Sequence, residues 1–279
     1  MPSRQTTSSG SPPAVTGTAA FSKFMHVLQL VADAAEPMTA AALTRASGYP
    51  RPTLHRIVSA LLAEGLLRQS ASAAGFELGP RLIQLASRSW GRSDLRLAAA
   101  DELKRLRDAT AETVHLAVPS GTSMVYIEKL EGPSAVRMAS RIGTSVALHS
   151  TAVGKAYLAM LDDGARETLL AELTMTRYTP NTVVKREALR KELKLVRARG
   201  WSVDDEENEA DVYCYGAAIV ASTGQPVAAI SVSTLNFRRK ADPQRAYVEP
   251  LLKACRAISA RIAATPTLAN AEVLQPGLG

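Results

Sequence analysis

The chain has 279 residues, 46% of them hydrophobic, with 33 Lys and Arg against 26 Asp and Glu for a net charge of +7. That length suits one large domain or two ordinary ones, and no apolar run reaches the ~20 residues that span a bilayer. Two cysteines, Cys214 and Cys255, are too few for a disulfide framework and lack metal-site spacing. Met1–Pro13, rich in Ser, Thr and Pro, does not read as a signal peptide, so a cytoplasmic address is expected. The positive charge points modestly to a polyanionic partner. Over half of it sits in Met1–Gly91, where eight Lys and Arg face four acids.

Residues 1–19 read as a disordered tail, low in apolar residues and without periodicity. Phe24, Val27, Leu28 and Val31 then fall at the spacing of one helix face. Thr39 is a good N-cap for a short second helix carrying Leu43, which Gly48 ends. Pro50 and Pro52 mark a turn, and Pro52 suits the start of a third helix with Leu54, Ile57, Val58 and Leu61 inward. Past Gly65, the runs Leu66-Leu67-Arg68 and Phe76-Glu77-Leu78 flank small residues and predict a β-hairpin. Helix, helix, turn, helix and hairpin within about 60 residues make a winged helix-turn-helix over 20–80. A helical linker is expected over 81–94, with Gly91-Arg92-Ser93-Asp94 as its polar break.

A recognition helix needs donors for phosphates and base edges on its outer face. The inward stripe leaves Arg51, Thr53, His55 and Arg56 at the outer N-terminal end, and Arg68 at the base of the hairpin is placed for phosphate. A basic helical unit used for protein contact is the alternative reading of the same residues.

From 95 to 264 strands alternate with helices. Leu95–Glu112 is predicted helical; Val114–Val118 and Met124–Ile127 are strands, with a further strand over Ala135–Ser140. Helices follow at Ser150–Met160, Asp163–Leu173 and Lys185–Arg199, then strands at Ala217–Ala221 and Val227–Ser233, then a helix over Pro243–Ala263. Hairpin-linked strands among helices predict an antiparallel-rich α/β domain, and 265–279 reads as a Pro/Gly tail.

The segments Gly48–Arg56, Leu61–Leu66, Leu148–Ala156 and Gly200–Glu207, followed by Cys214 and Ala228–Ser233, together resemble the IclR family of bacterial regulators over roughly 20–264. The resemblance implies a GAF-like effector domain over 95–264 and a homodimer that pairs into a dimer of dimers. It also implies a small carboxylic or aromatic acid as effector, and control of a catabolic operon. Its ligand positions fall here on Ala152, Val153, Asp204, Cys214, Ser231 and Ser233. Two departures stand out: the family usually has Gly where Asp211 stands and often Pro where Ala218 stands.

The residues themselves fit such a pocket. Ala152 and Gly154 are small enough for a ligand to approach the start of a helix, whose N–H groups suit a carboxylate. Ser231 and Ser233, two apart, share one face of a strand. Local backbone satisfaction and core packing would use the same residues equally well. Lys155 after Gly154 does not complete a phosphate loop, since His149 stands at the required glycine and Ala156 follows the lysine; a salt bridge or surface role is expected. Asp204–Glu209 lacks the order of a calcium loop and reads as a solvated loop. A Cys214 nucleophile with His149 or His115 as base would make an enzyme, but nothing in the sequence brings them together. No catalysis, cofactor or metal is expected. Two classes remain: a ligand-gated regulator of duplex DNA, and a sensor or protein-interaction module without DNA.

Overall fold

A computed structural model of the chain describes residues 19–71, 74–90 and 94–264. The tails expected at 1–19 and 265–279 lie outside the described residues, Ala19 excepted, as do Gly91–Ser93 of the expected linker. Two compact units result, residues 1–92 and 93–279.

In the first unit, α1 (Ala19–Asp33), α2 (Ala40–Ser47) and α3 (Arg51–Ala63) close around one apolar cluster, to which Val27, Leu43, Leu54, Ile57 and Leu61 contribute. The Thr39 hydroxyl accepts the Ala42 N–H at 3.2 Å and so caps α2. Gly48, at φ +70°, ends that helix by donating to the Thr44 carbonyl. The wing is β1 (Leu67–Gln69) antiparallel to β2 (Phe76–Leu78), with Leu67 opposite Leu78. Met38 adds a bridge to Phe76, a third edge that sequence periodicity does not reveal. The unit ends with α4 (Pro80–Trp90).

The second unit is built on one six-stranded antiparallel sheet in the order β5-β4-β3-β8-β7-β6. Its strands are β3 (Thr113–Ser120), β4 (Ser123–Leu130), β5 (Ser145–Ala147), β6 (Ser202–Asp205), β7 (Val212–Val220) and β8 (Pro226–Leu235). Because side chains alternate across a strand, the sheet has two distinct faces. Val114, Leu116, Tyr215, Ala217, Ile230 and Val232 pack into the cluster formed with α5 (Asp94–Thr110) and α9 (Glu249–Ala264). The opposite face carries Ala117, Met124, Tyr126 and Ala229 beneath α6 (Ala152–Met160), with α7 (Asp163–Glu172) and α8 (Arg186–Arg199) closing the same cluster.

The start of α6 lies tight against β7. A Cβ at Gly216 would stand 2.5 Å from the Ala152 carbonyl oxygen, and one at Gly154 would stand 2.5 Å from Leu148 Cα. Ser202 Oγ donates to that same Ala152 carbonyl at 2.6 Å.

Two expectations are corrected. Residues 135–140 form no strand: the open edge of β4 is taken by Ser145–Ala147, with Ser123 opposite Ala147. The Met138 and Ser140 carbonyls are satisfied instead by the Lys129 ammonium, at 2.8 and 2.7 Å. The acidic stretch after Trp201 opens as edge strand β6, pairing Asp204 with Cys214, rather than wholly as a solvated loop.

The β6–β7 turn holds Asp211 at φ +65°, the left-handed region where side chains are strained and glycine is not. This is one of the positions at which the sequence departs from the glycine of its resemblance. Replacing Asp211 by Gly relieves that strain and loosens the unfolded chain, a balance that leaves a net gain of roughly 0.5 kcal/mol. Urea denaturation of Asp211→Gly checks this; a loss of stability would mean that the Asp211 side chain holds the turn by a contact of its own.

Candidate nucleic-acid interface and ligand site

Helix α3 buries Leu54, Ile57, Val58 and Leu61 and turns Arg51, His55 and Arg56 outward, with Thr53 half-buried between the two faces. The exposed residues repeat every four positions because the buried ones do. No side chain caps its N-terminus, where Pro50 precedes the helix and Pro52 lies in its first turn. Its first N–H groups are therefore available to an anion. Among the described residues, Arg51, His55 and Arg56 enter no ion pair. Arg68 differs: it lies opposite Glu77 across the wing and pairs with it at 3.1 Å. That pair is largely exposed, so water and salt weaken it and phosphate can compete for the guanidinium.

In the second unit Asp204, Cys214, Ser231 and Ser233 point from three adjacent strands to the same side of the sheet. Cys214 is opposite Ser233, and Asp204 is opposite Cys214. The structure adds residues that the sequence did not single out as ligand positions. His115 on β3, opposite Ser231, places Nδ1 at 3.5 Å from Ser231 Oγ and 3.4 Å from Ser233 Oγ. Its ring stacks on Tyr126 at 4.5 Å, and its Nε2 meets Ser140 Oγ at 2.7 Å. This polar patch occupies the part of the face just beyond the small residues that α6 covers.

Burial sets the protonation of the patch. It lowers the His115 imidazole to about 3, with the nearby Lys129 charge adding to the effect. It raises the Cys214 thiol, to which the Asp204 carboxylate contributes, and it raises the Tyr126 phenol likewise. The Asp204 carboxyl goes up to about 7 because it is buried, against the pull of Lys155 and of the Glu207 and Asn208 N–H groups that its Oδ1 accepts. A neutral imidazole and a protonated thiol are not an activated nucleophile pair. His149 is engaged elsewhere, at 2.9 Å from the Thr176 carbonyl and stacked on Tyr178.

Ala152 and Val153 are each 1% exposed. The absence of a side chain at Gly154 admits the Leu148 backbone, as that at Gly216 admits the Ala152 backbone, and the Gly154 N–H is taken by Thr151 Oγ1 at 3.2 Å. Lys155, expected in a salt bridge or at the surface, is fully buried between Glu192, at 2.7 Å, and Glu207. Among the described residues no group of three or more His, Cys, Asp or Glu is placed to hold a metal ion, and no helix is long and apolar enough to cross a membrane.

Residues 21–71 match the IclR helix-turn-helix domain, and residues 88–260 match the bacterial transcriptional regulator IclR C-terminal domain. The chain belongs to the IclR family of bacterial transcriptional regulators. It is 33% identical over 214 residues to the transcriptional regulator XynR of Escherichia coli K12, covering 77% of this chain and 85% of that one. The crystal structure of the Thermotoga maritima IclR superposes with a TM-score of 0.72 at 28% identity, over 87% of this chain and 98% of that one. An IclR homologue from Microbacterium hydrocarbonoxydans, solved in complex with 4-hydroxybenzoate, gives 0.76 at 26% identity, over 88% and 100%. The α/β class, with an N-terminal helix-turn-helix ahead of a C-terminal effector domain, is thus that of the family.

Asp204 makes the patch sensitive to pH. A carboxyl raised in the folded state binds its proton more tightly there than in the unfolded chain. Its contribution to stability is therefore greatest near pH 4 and is lost as pH rises through about 7. The depressed His115 works the other way, adding stability as pH rises from about 3 towards its ordinary 6.5. Asp204→Asn keeps the acceptor and removes the titration, so comparison of the two proteins cancels His115. The melting temperature of the wild type minus that of Asp204→Asn is expected to fall between pH 4 and 7 and to level off above. A difference independent of pH would show that Asp204 is ionised throughout.

Proposed function

We propose that this IclR-family regulator is gated by a small carboxylic acid, with an aromatic carboxylate as the first candidate, and controls a catabolic operon. The observation that carries the reading is the polar patch of Asp204, Cys214, Ser231 and Ser233, joined by His115, beside the apolar Ala117, Met124 and Ala229 of the same sheet face. An apolar enclosure with a few convergent polar groups is what a small organic ligand needs, and the Microbacterium relative holds 4-hydroxybenzoate. Ala152 and Val153 belong to the wall behind the patch, through packing. In this reading 20–80 binds DNA, 81–94 links and 95–264 senses, with tails on either side. A DNA partner implies a cytoplasmic address.

On DNA, Arg51, Thr53, His55 and Arg56 read the major groove while Arg68 meets phosphate from the wing. A homodimer, itself able to pair, sets two such helices in successive major grooves about one helical turn apart. Exposed Phe21 and Met25 on α1 and Leu85 on α4 offer apolar surface for that pairing. The acid acts through the linker by favouring one arrangement of the heads, and coupling of this kind is typically ~1–3 kcal/mol.

Electrophoretic mobility shifts on the DNA upstream of the chain's own gene test the DNA half. Arg51→Ala and Arg56→Ala are each expected to weaken operator binding by roughly 1–3 kcal/mol if they reach bases, and wild-type affinity should fall steeply with salt. Affinity that ignores both salt and the substitutions would identify a protein partner instead. For the sensor half, thermal melts across aliphatic and aromatic acids should single out one acid that raises the melting temperature and changes operator affinity.

A further inference from the structure

Residues 131–144 run between β4 and β5 without regular structure and cross the polar patch as a strap. The strap is pinned by oxygens. Ser140 Oγ sits on His115 Nε2 at 2.7 Å, and the Ser140 and Met138 carbonyls take the Lys129 ammonium at 2.7 and 2.8 Å. Glu131 forms an ion pair with the same ammonium at 3.2 Å. His115 and Lys129 are direct cross-strand neighbours in the β3–β4 ladder, and both are held by a single serine residue.

That pairing has the chemistry of a carboxylate receptor. The Ser231 and Ser233 hydroxyls can donate to Nδ1, and in that tautomer Nε2 carries the proton, a neutral donor aimed at the strap. Beside it stands a cation with little exposed surface of its own. A neutral N–H and an ammonium within the span of one residue would meet both oxygens and the charge of an organic acid. In that place the strap supplies two neutral carbonyls and a hydroxyl, and the Glu131 carboxylate, which also pairs with Arg137 at 3.1 Å. We infer that His115 and Lys129 form the carboxylate-binding end of the effector site, and that the strap fills it with its own oxygens until an organic acid displaces them. The inference rests on the acid-sensing reading above and names the residues through which it works.

Movement of the strap has room and little apolar cost. Val136 and Ile142 already stand 53% and 45% exposed. A crevice of about 250 Å3 lies at its root, lined by Arg107, Asp108, Ala111, Glu131 and Pro133. Displacement exchanges hydrogen bonds for hydrogen bonds, and the incoming carboxylate takes the place of Glu131 at Lys129 while Glu131 keeps Arg137 as its partner.

The test titrates the full-length protein with a panel of aliphatic and aromatic acids headed by 4-hydroxybenzoate, with 4-hydroxybenzamide as its uncharged counterpart, while amide hydrogen exchange is followed over 131–144. A binding acid is expected to outbind its amide and to speed exchange in the strap. Ser140→Ala removes the competing hydroxyl and should bind the acid about fivefold more tightly, the worth of one hydrogen bond. Lys129→Gln should erase the preference for acid over amide, a loss of about tenfold or more. If Lys129→Gln does not fold, Ser140→Ala decides, since it trims one half-buried hydroxyl. Acid binding with unchanged strap exchange and unchanged affinity in Ser140→Ala overturns the inference and leaves the sensor reading standing. If no acid binds either the wild type or Ser140→Ala, the sensor reading fails and the inference with it.

Discussion

Lys155 has no exposed surface, and its ammonium is tolerable inside the effector domain only because Glu192 and Glu207 surround it. Stripping a charge of water costs several kcal/mol, which partners must offset. The partners come from different elements, so the requirement ties α6 to α8 and to the turn after β6. Glu207 is raised in turn by its own burial, against the pull of Lys155. Thr179 and Thr182 grip the Glu206 and Glu207 carbonyls from a third direction, each at 2.6 Å. Asp204, one turn back, accepts the Glu207 and Asn208 N–H groups. The acid at the rim of the ligand patch is thereby held by the same knot that holds the lysine.

From that knot the rest of the site follows by strand alternation. Once α6 is fixed, Gly216 lets its first turn close on β7, and Ala117 and Ala229 continue the packed surface beneath it. Beyond the start of the helix the same face needs another cover. The strap provides it, and the side chains that meet it are polar: His115 meets the Ser140 hydroxyl, and Lys129 the Met138 and Ser140 carbonyls. On the far face, α5 and α9 close an apolar cluster with Leu116, Ala217, Ile230 and Val232 of the sheet.

Local signals made the first unit legible. The stripe Leu54/Ile57/Val58/Leu61, the Thr39 cap and the left-handed Gly48 each act within a few residues, and sequence spacing is a direct record of such effects. The strap was illegible for the opposite reason. Ala135–Ser140 has strand-like residues, but its fate depends on Ser145–Ala147 reaching the edge of β4 first and on a lysine from another strand. His115 reads from sequence as one histidine among four, and only the register with Ser231 brings it into the patch. Ala152 and Gly154 were legible as small yet open to two explanations, since close approach of a strand and close approach of a ligand demand the same absence of side chain.

In the acid-sensing reading proposed for this site, affinity is bounded by its own cover. Burial favours the neutral imidazole and the protonated thiol. The strap competes for the groups that recognise an acid, and the apparent affinity is the intrinsic one reduced by the fraction of molecules with the strap displaced. A tight cover therefore makes a weak sensor and a loose one makes a leaky sensor. Free energy spent on lifting the strap is also the only part of binding that distinguishes two states of the domain, and only such a difference can be passed on to the DNA-binding heads.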